Sequence, residues 1–270
     1  MFEILQYSFF QNALIWWILI ALIAGISGVF IIMRKEANIT HSISNFLFLG
    51  IAISLILNGN YYVYAFLFAI IASIVIYFIE HTGLITKEST KEIISQTGMA
   101  WAIFTLWFLD TLTLDINNFL FWSILFISEQ DLYIMGILFF SIYLLWFLFG
   151  RNFFAVIINE DIAVSRGINV SVYNLVFLLL LSLFIGMSIK IFWVLLIGAF
   201  LVIPANIGKI LGNSIRSVCI ISIIYSLVSV VLWLFSSYFL GTSTGATIVL
   251  YLIWGFVVSL VLKNILGKMH

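Results

Sequence analysis

The sequence predicts an all-α, polytopic transmembrane helical bundle of about eight or nine spans. Two observations predict it. Hydrophobic residues make up 64% of the 270 and charged residues only 8%, whereas a soluble domain carries about 25% charged residues. A water-facing surface cannot be built from that supply, and the mean hydropathy of +1.26 agrees. Second, the apolar runs are continuous rather than alternating. In lipid every backbone polar group must be satisfied internally, by helices or a closed barrel, and continuous runs select helices.

A bilayer core needs about 20 apolar residues per helix. Nine candidate spans lie near 12–33, 40–58, 62–80, 97–114, 132–150, 172–190, 192–211, 217–239 and 244–262. The second is interrupted by polar residues, and the sixth and seventh merge, so eight spans is the alternative. Residues 116–130 are apolar but short and suit a re-entrant or interfacial segment. The first span is too long for a signal-peptide core and lacks a small-residue cleavage site, so it reads as retained. With no internal repeat or linker, residues 1–270 read as a single transmembrane domain.

Lys and Arg set the orientation. With nine spans and the amino terminus outside, Arg34, Lys35, Lys87, Lys91, Arg151, Arg166, Lys209, Arg216, Lys263 and Lys268 fall inside. Only Lys190 of the 11 basic residues falls outside. The carboxyl terminus is then inside. A formal net charge of +0 offers no basic surface for nucleic acid. The single cysteine, Cys219, forms no internal disulfide or zinc cluster and reads as a small apolar helix residue.

Polar groups at membrane depth are expensive and raise functional hypotheses. The densest set opens the second span: Asn38, Thr40, His41, Ser44 and Asn45. His41 and Asn45 are four apart, on one helix face. Imidazole is a common ligand for zinc, manganese and iron, and a carboxamide oxygen is a weaker, hard one. Weak binding suits a conduit, because an ion must also leave. Hydrogen bonding to neighbouring helices accounts for the same residues, and the sequence admits both readings. Asp110 and Asp115 near the outer end of the fourth span, and Glu80 and His81 at the inner end of the third, read as interfacial. Pro204, the only proline, removes a backbone donor within the seventh span; the resulting kink frees carbonyls that line a pathway or simply serves packing.

The polar stretch from Asn159 to Val170 suits a short cytoplasmic helix that Asp161 caps and Gly167 ends, a docking knob for a partner or an ordinary loop. The stretch from Ser236 to Ala246 reads as a tight outer turn. There is no Ser/His/Asp grouping, His-Glu-x-x-His or phosphate loop, so any ATP-driven work needs a separate subunit.

These motifs together resemble the permease family of zinc, manganese and iron ABC importers, in order over nearly the whole chain. After the first span that family usually carries Arg-Arg-Met, Gly-Asp, His four after the Asp, and Gly five later. Here Arg34-Lys35-Glu36 opens the segment and Gly50 closes it, so His41 falls on the family Asp and Asn45 on the family His. Residues 118–125 with Asp131-Leu132 are similar to the family's Leu-Phe-Gly-x-Ile-Leu and later Asp-Leu, with Trp122 in place of Gly. Asp161-x-Ala163-x-x-x-Gly167-Ile168-x-Val170 is similar to its ATPase-contacting segment. The run from Leu195 to Ala205 resembles its Leu-Leu-Val-x-Ala-Leu-Leu-Ile-Ile-Pro-Ala. Ser237-Tyr238 and Gly245-Ala246-Thr247-Ile248-Val249 resemble its last motif, with Gly241 and Ser243 where Asp and Pro often stand.

The resemblance implies a homodimer in the cytoplasmic membrane that carries zinc, manganese or iron without a permanent cofactor. It implies a path lined at His41 and Asn45, and an ABC ATPase seated on the segment holding Glu160, Asp161, Ala163 and Gly167. It also implies an extracellular metal-binding protein that delivers the ion. His/Asn keeps a coordinating face but lacks the Asp/His charge, so it binds divalent ions less strongly. Rival expectations are a haem- or siderophore-type chelate permease and a scaffold that has lost its site. An intramembrane enzyme lacks enough convergent ionisable groups.

Overall fold

The computed structural model describes residues 8–107, 129–188, 194–240 and 244–267. Every regular element among them is an α-helix. In chain order these are α1 (Ser8–Met33), α2 (Ile39–Ile56), α3 (Tyr61–Thr82), α4 (Lys87–Trp107) and α5 (Glu129–Ile158). They continue with α6 (Glu160–Ser165), α7 (Val170–Ser188), α8 (Val194–Leu211), α9 (Ile215–Leu240) and α10 (Thr244–Gly267).

Five helical segments among the described residues are long and apolar enough to cross a membrane: Phe10–Met33, Ile39–Ile56, Tyr61–Thr82, Val170–Ser188 and Ile215–Trp233. A bent pair within α5, Phe139–Trp146 and Leu148–Ile157, counted as one span, makes six. Ile197–Leu211 and Thr247–Lys263 are shorter apolar helices. The fourth helix departs most from the sequence expectation. It begins at Lys87 rather than near residue 97, and its first turns carry Lys87, Glu88, Lys91 and Glu92. Asp110, Asp115, Lys190, His270 and the anticipated segment 116–130, apart from its end at residues 129 and 130, lie outside the described residues.

The breaks between helices follow local chemistry. Asn60 caps α3, its side chain accepting from the Tyr62 N–H at 3.0 Å. Gly83, at φ +66°, ends it in the left-handed region that glycine enters without strain. Thr86 opens α4, its hydroxyl accepting from the Ser89 N–H at 3.2 Å.

The chain divides into two compact units. One comprises Met1–Lys35, Ser123–Tyr143 and Gly198–His270. In it α1 packs on α9, and α9 on α10. Its centre holds the fully buried Trp17 and Trp233, ring centroids 4.4 Å apart, with Phe200 edge-on to Trp17 at 6.1 Å. Tyr225 of α9 donates to the Tyr251 carbonyl at 2.9 Å, fixing α10 beside it.

The other unit comprises Glu36–Trp122 and Leu144–Ile197. There α2 lies against α4, α3 and α7, and α3 against α7. Leu49, Ala52, Ala102 and Leu106 form an apolar cluster joining α2 to α4. Ser73 of α3 donates to the Leu178 carbonyl of α7 at 3.0 Å, satisfying a hydroxyl in an apolar interior. A Cβ on Gly98 of α4 would lie 2.7 Å from the Phe46 backbone, so the two helices touch main chain to main chain.

Candidate functional site

The polar face of α2 meets α4 within the second unit. His41 is exposed and Asn45 is buried. The Asn45 amide Nδ2 lies 3.3 Å from His41 Nε2 and donates to Ser95 Oγ of α4 at 2.9 Å. An amide nitrogen carries two N–H donors, one for each neighbour. Facing an amide N–H, His41 Nε2 can serve only as an acceptor in this contact. Ser42 donates to the Lys91 carbonyl at 2.6 Å, and Thr40 to the Ala37 carbonyl at 3.1 Å. The helix–helix bonds that the sequence reading allowed are present, and His41 itself remains exposed. Among the described residues no group of three His, Cys, Asp or Glu forms a metal cluster.

Beside this face sits a charge cluster. Lys91 is 1% exposed; its Nζ lies 2.9 Å from Glu80 Oε1 and 3.6 Å from Glu36 Oε2. The shorter contact is an ion pair by distance, but its angle is not that of a hydrogen bond. Glu80, expected at the interface from its place at the end of a span, closes this pair from the end of α3. It turns inward because an ammonium without water requires a counter-charge. His81 is exposed and stacks on Tyr77, ring centroids 5.9 Å apart.

The anticipated docking knob is a helix of its own, α6. Asn159, not Asp161, caps it: the Asn159 side chain accepts from the N–H groups of Asp161 at 2.8 Å and Ile162 at 3.2 Å. Asp161 occupies the first turn with Glu160, where the helix dipole favours acids. Gly167, at φ +75°, ends the segment as expected. Its N–H reaches the Val164 carbonyl and that of Ile168 reaches Ala163, the paired bonds of a Schellman cap. Ala163 is buried, while Ile162 and Val164 are exposed. Lys87 of α4 pairs with Glu160 at 3.0 Å, both half exposed.

The profile of the ABC 3 transport family matches residues 6–263. The chain belongs to this family. It is 29% identical over 245 residues to the manganese import system permease protein ScaB of Streptococcus parasanguinis, covering 91% of this chain and 87% of that protein. It is 27% identical over 260 residues to the high-affinity zinc uptake system membrane protein ZnuB of Haemophilus influenzae, covering 96% and 98%. The structure of PsaBC from Streptococcus pneumoniae in complex with Fab superposes with a TM-score of 0.81 at 28% identity, covering 95% of this chain and 92% of that one.

Two further sequence-predicted sites of this ABC 3 chain lie in the first unit. Pro204 is buried inside α8, and the helix continues through it. Ser237 and Tyr238 belong to the last turns of α9 and Gly245 to the first turn of α10. The middle of the anticipated outer turn, residues 241–243, lies outside the described residues. Ser236 bridges the two helices through its 2.6 Å contact with the Tyr251 hydroxyl. The Lys91 cluster is what sequence reading missed, because its three members come from separate elements.

Proposed function

We propose that this chain is the membrane-spanning permease subunit of an ATP-binding cassette importer that moves a divalent metal ion, manganese, zinc or iron, across the cytoplasmic membrane. The family match over residues 6–263 carries this reading, and the manganese and zinc in the relatives' names supply the cargo class. The whole chain acts as one permease domain of eight or nine spans, with the amino terminus outside. Two copies enclose the path, a cytoplasmic ATPase seats on α6, and an extracellular metal-binding protein delivers the ion.

His41 and Asn45 touch the ion in this reading. Their side chains meet at 3.3 Å, so an ion at Nε2 must displace the Asn45 amide and be met by its oxygen instead. Exchange of one weak contact for another holds the ion loosely, which a conduit requires. Pro204 and the outer-turn residues Ser237, Tyr238 and Gly245 shape the path without ligating the ion.

The test is uptake by the chain assembled with its ATPase in lipid vesicles and supplied with its metal-binding protein. ATP-driven accumulation of Mn²⁺ or Zn²⁺ is expected; its absence for Mn²⁺, Zn²⁺ and Fe²⁺ alike overturns the reading. His41→Ala is expected to lower uptake about tenfold, the scale of one lost coordinating contact, with assembly intact. Unchanged uptake removes His41 from the mechanism.

A further inference from the structure

Lys87, Lys91 and Ser95 recur every fourth residue along α4 and so share one face of the helix. Each holds a different part of the second unit. Lys87 pairs with Glu160, the first residue of α6, at 3.0 Å. Lys91 is clamped by Glu80 at the end of α3 and by Glu36 just ahead of α2, and its carbonyl accepts from Ser42. Ser95 accepts from Asn45, whose amide also meets His41. Polar contacts thus recur from α6 to His41 along about 12 Å of one helix.

Stability does not account for Lys91. Replacing a buried ion cluster with apolar residues of similar volume is often neutral or stabilising. What the cluster adds is a fixed register: an ammonium between two carboxylates tolerates little sliding of α4 against α2 and α3. The main-chain contact at Gly98, one turn beyond Ser95 on the same face, makes the joint stiff there too.

We propose that α4 is the transmission rod between the ATPase-facing segment and the metal face, with Lys87 as its input and Lys91 as the positioning residue that keeps it in register. A shift of α6 pulls α4 through the Lys87–Glu160 pair. Because Lys91 and Gly98 hold α4 in register with α2, the displaced Ser95 carries Asn45 and His41 with it and so moves the metal face. This inference rests on the permease reading above.

The experiment uses the chain assembled with its ATPase in lipid vesicles, supplied with its metal-binding protein, and measures Mn²⁺ accumulated per ATP hydrolysed. Without ATP-driven accumulation of any of Mn²⁺, Zn²⁺ and Fe²⁺ by the unsubstituted protein, the permease reading itself fails and takes the inference with it; where Zn²⁺ or Fe²⁺ is the ion taken up, it replaces Mn²⁺ in the ratio. Given accumulation, Lys91→Met is expected to lower the Mn²⁺-to-ATP ratio about tenfold while ATP hydrolysis per assembled complex persists. Lys87→Glu is expected to lower the ratio likewise, and Lys87→Glu with Glu160→Lys to restore it to within about twofold of the unsubstituted value. A merely structural Lys91 would reduce the amount of assembled complex and leave the ratio unchanged, which overturns the proposal. If Lys91→Met fails to assemble, the exposed Lys87–Glu160 pair decides alone: its substitution does not threaten the fold. An unchanged ratio in Lys87→Glu, or a loss that the double exchange does not restore, overturns the proposal as well.

Discussion

Glycine 98 shows how little room the site leaves. A methyl group there would come within 2.7 Å of both the nitrogen and the Cα of Phe46, backbone atoms that cannot rotate away. The Asn45 carbonyl carbon is equally close, at 2.9 Å. The only relief is for α4 to move off α2, which stretches the Asn45–Ser95 bond. Gly98→Ala is therefore expected to destabilise the protein by about 1–3 kcal/mol, the usual cost of overpacking. Gly150 of α5 is the control: a methyl group added there would meet nothing within 4 Å, and Gly150→Ala should be neutral or stabilising by about 0.4–1 kcal/mol. Thermal unfolding of the two purified variants in the same detergent checks the contrast. Equal melting points would mean that α2 and α4 are not held main chain to main chain.

Among the elements, α6 is the most dependent on its ends. A helix of six residues cannot persist on intrinsic propensity, because nucleation alone outweighs its few internal bonds. Asn159 supplies acceptors for two of its N–H groups, Gly167 and Ile168 close its last carbonyls, and Ala163 is buried where α6 meets α7. Asn159→Ala should cost α6 about 1 kcal/mol. Hydrogen exchange should then speed up at the amides of Asp161 and Ile162 while α7 stays protected; equal protection in both proteins would show that the cap is dispensable. This segment was legible in the sequence because its chemistry is local. A turn that needs positive φ attracts glycine, and Gly167 marked it. The cap residue was misread because Asn159 and Asp161 are both good caps, and only the backbone register separates them. The start of α4 was illegible for the opposite reason: hydropathy treats every charge as seeking water. Lys91 instead finds Glu36 and Glu80, residues distant in sequence that only tertiary packing brings together. Glu36 was visible as a departure from the Arg-Arg-Met pattern, but its partner was not. His41 and Asn45 were legible as one helix face, and the Ser95 bond between helices was not.

At the scale of the whole molecule, the buried cluster changes how orientation is counted. The nine-span threading puts ten of the 11 basic residues inside. Lys91 is neutralised within the protein, so it says nothing about which side of the bilayer its end of α4 faces. Subtracting it from both counts (10 − 1 and 11 − 1) leaves nine of ten, and the bias survives. An odd number of spans puts the two ends on opposite sides, and an even number puts them together. Cys219 is the only native thiol, so Cys219→Ser leaves a background on which one new cysteine reports one position. In intact cells a membrane-impermeant maleimide should label Ser8→Cys directly and Gly267→Cys only after permeabilisation. Labelling of both from outside, or of neither, would require an even count, and the loops after the missing span would exchange sides. Ordered that way, the basic residues of one half of the chain would face outward against the rule that orients the other half. The nine-span arrangement avoids that conflict, which is why opposite-side labelling is the expected result.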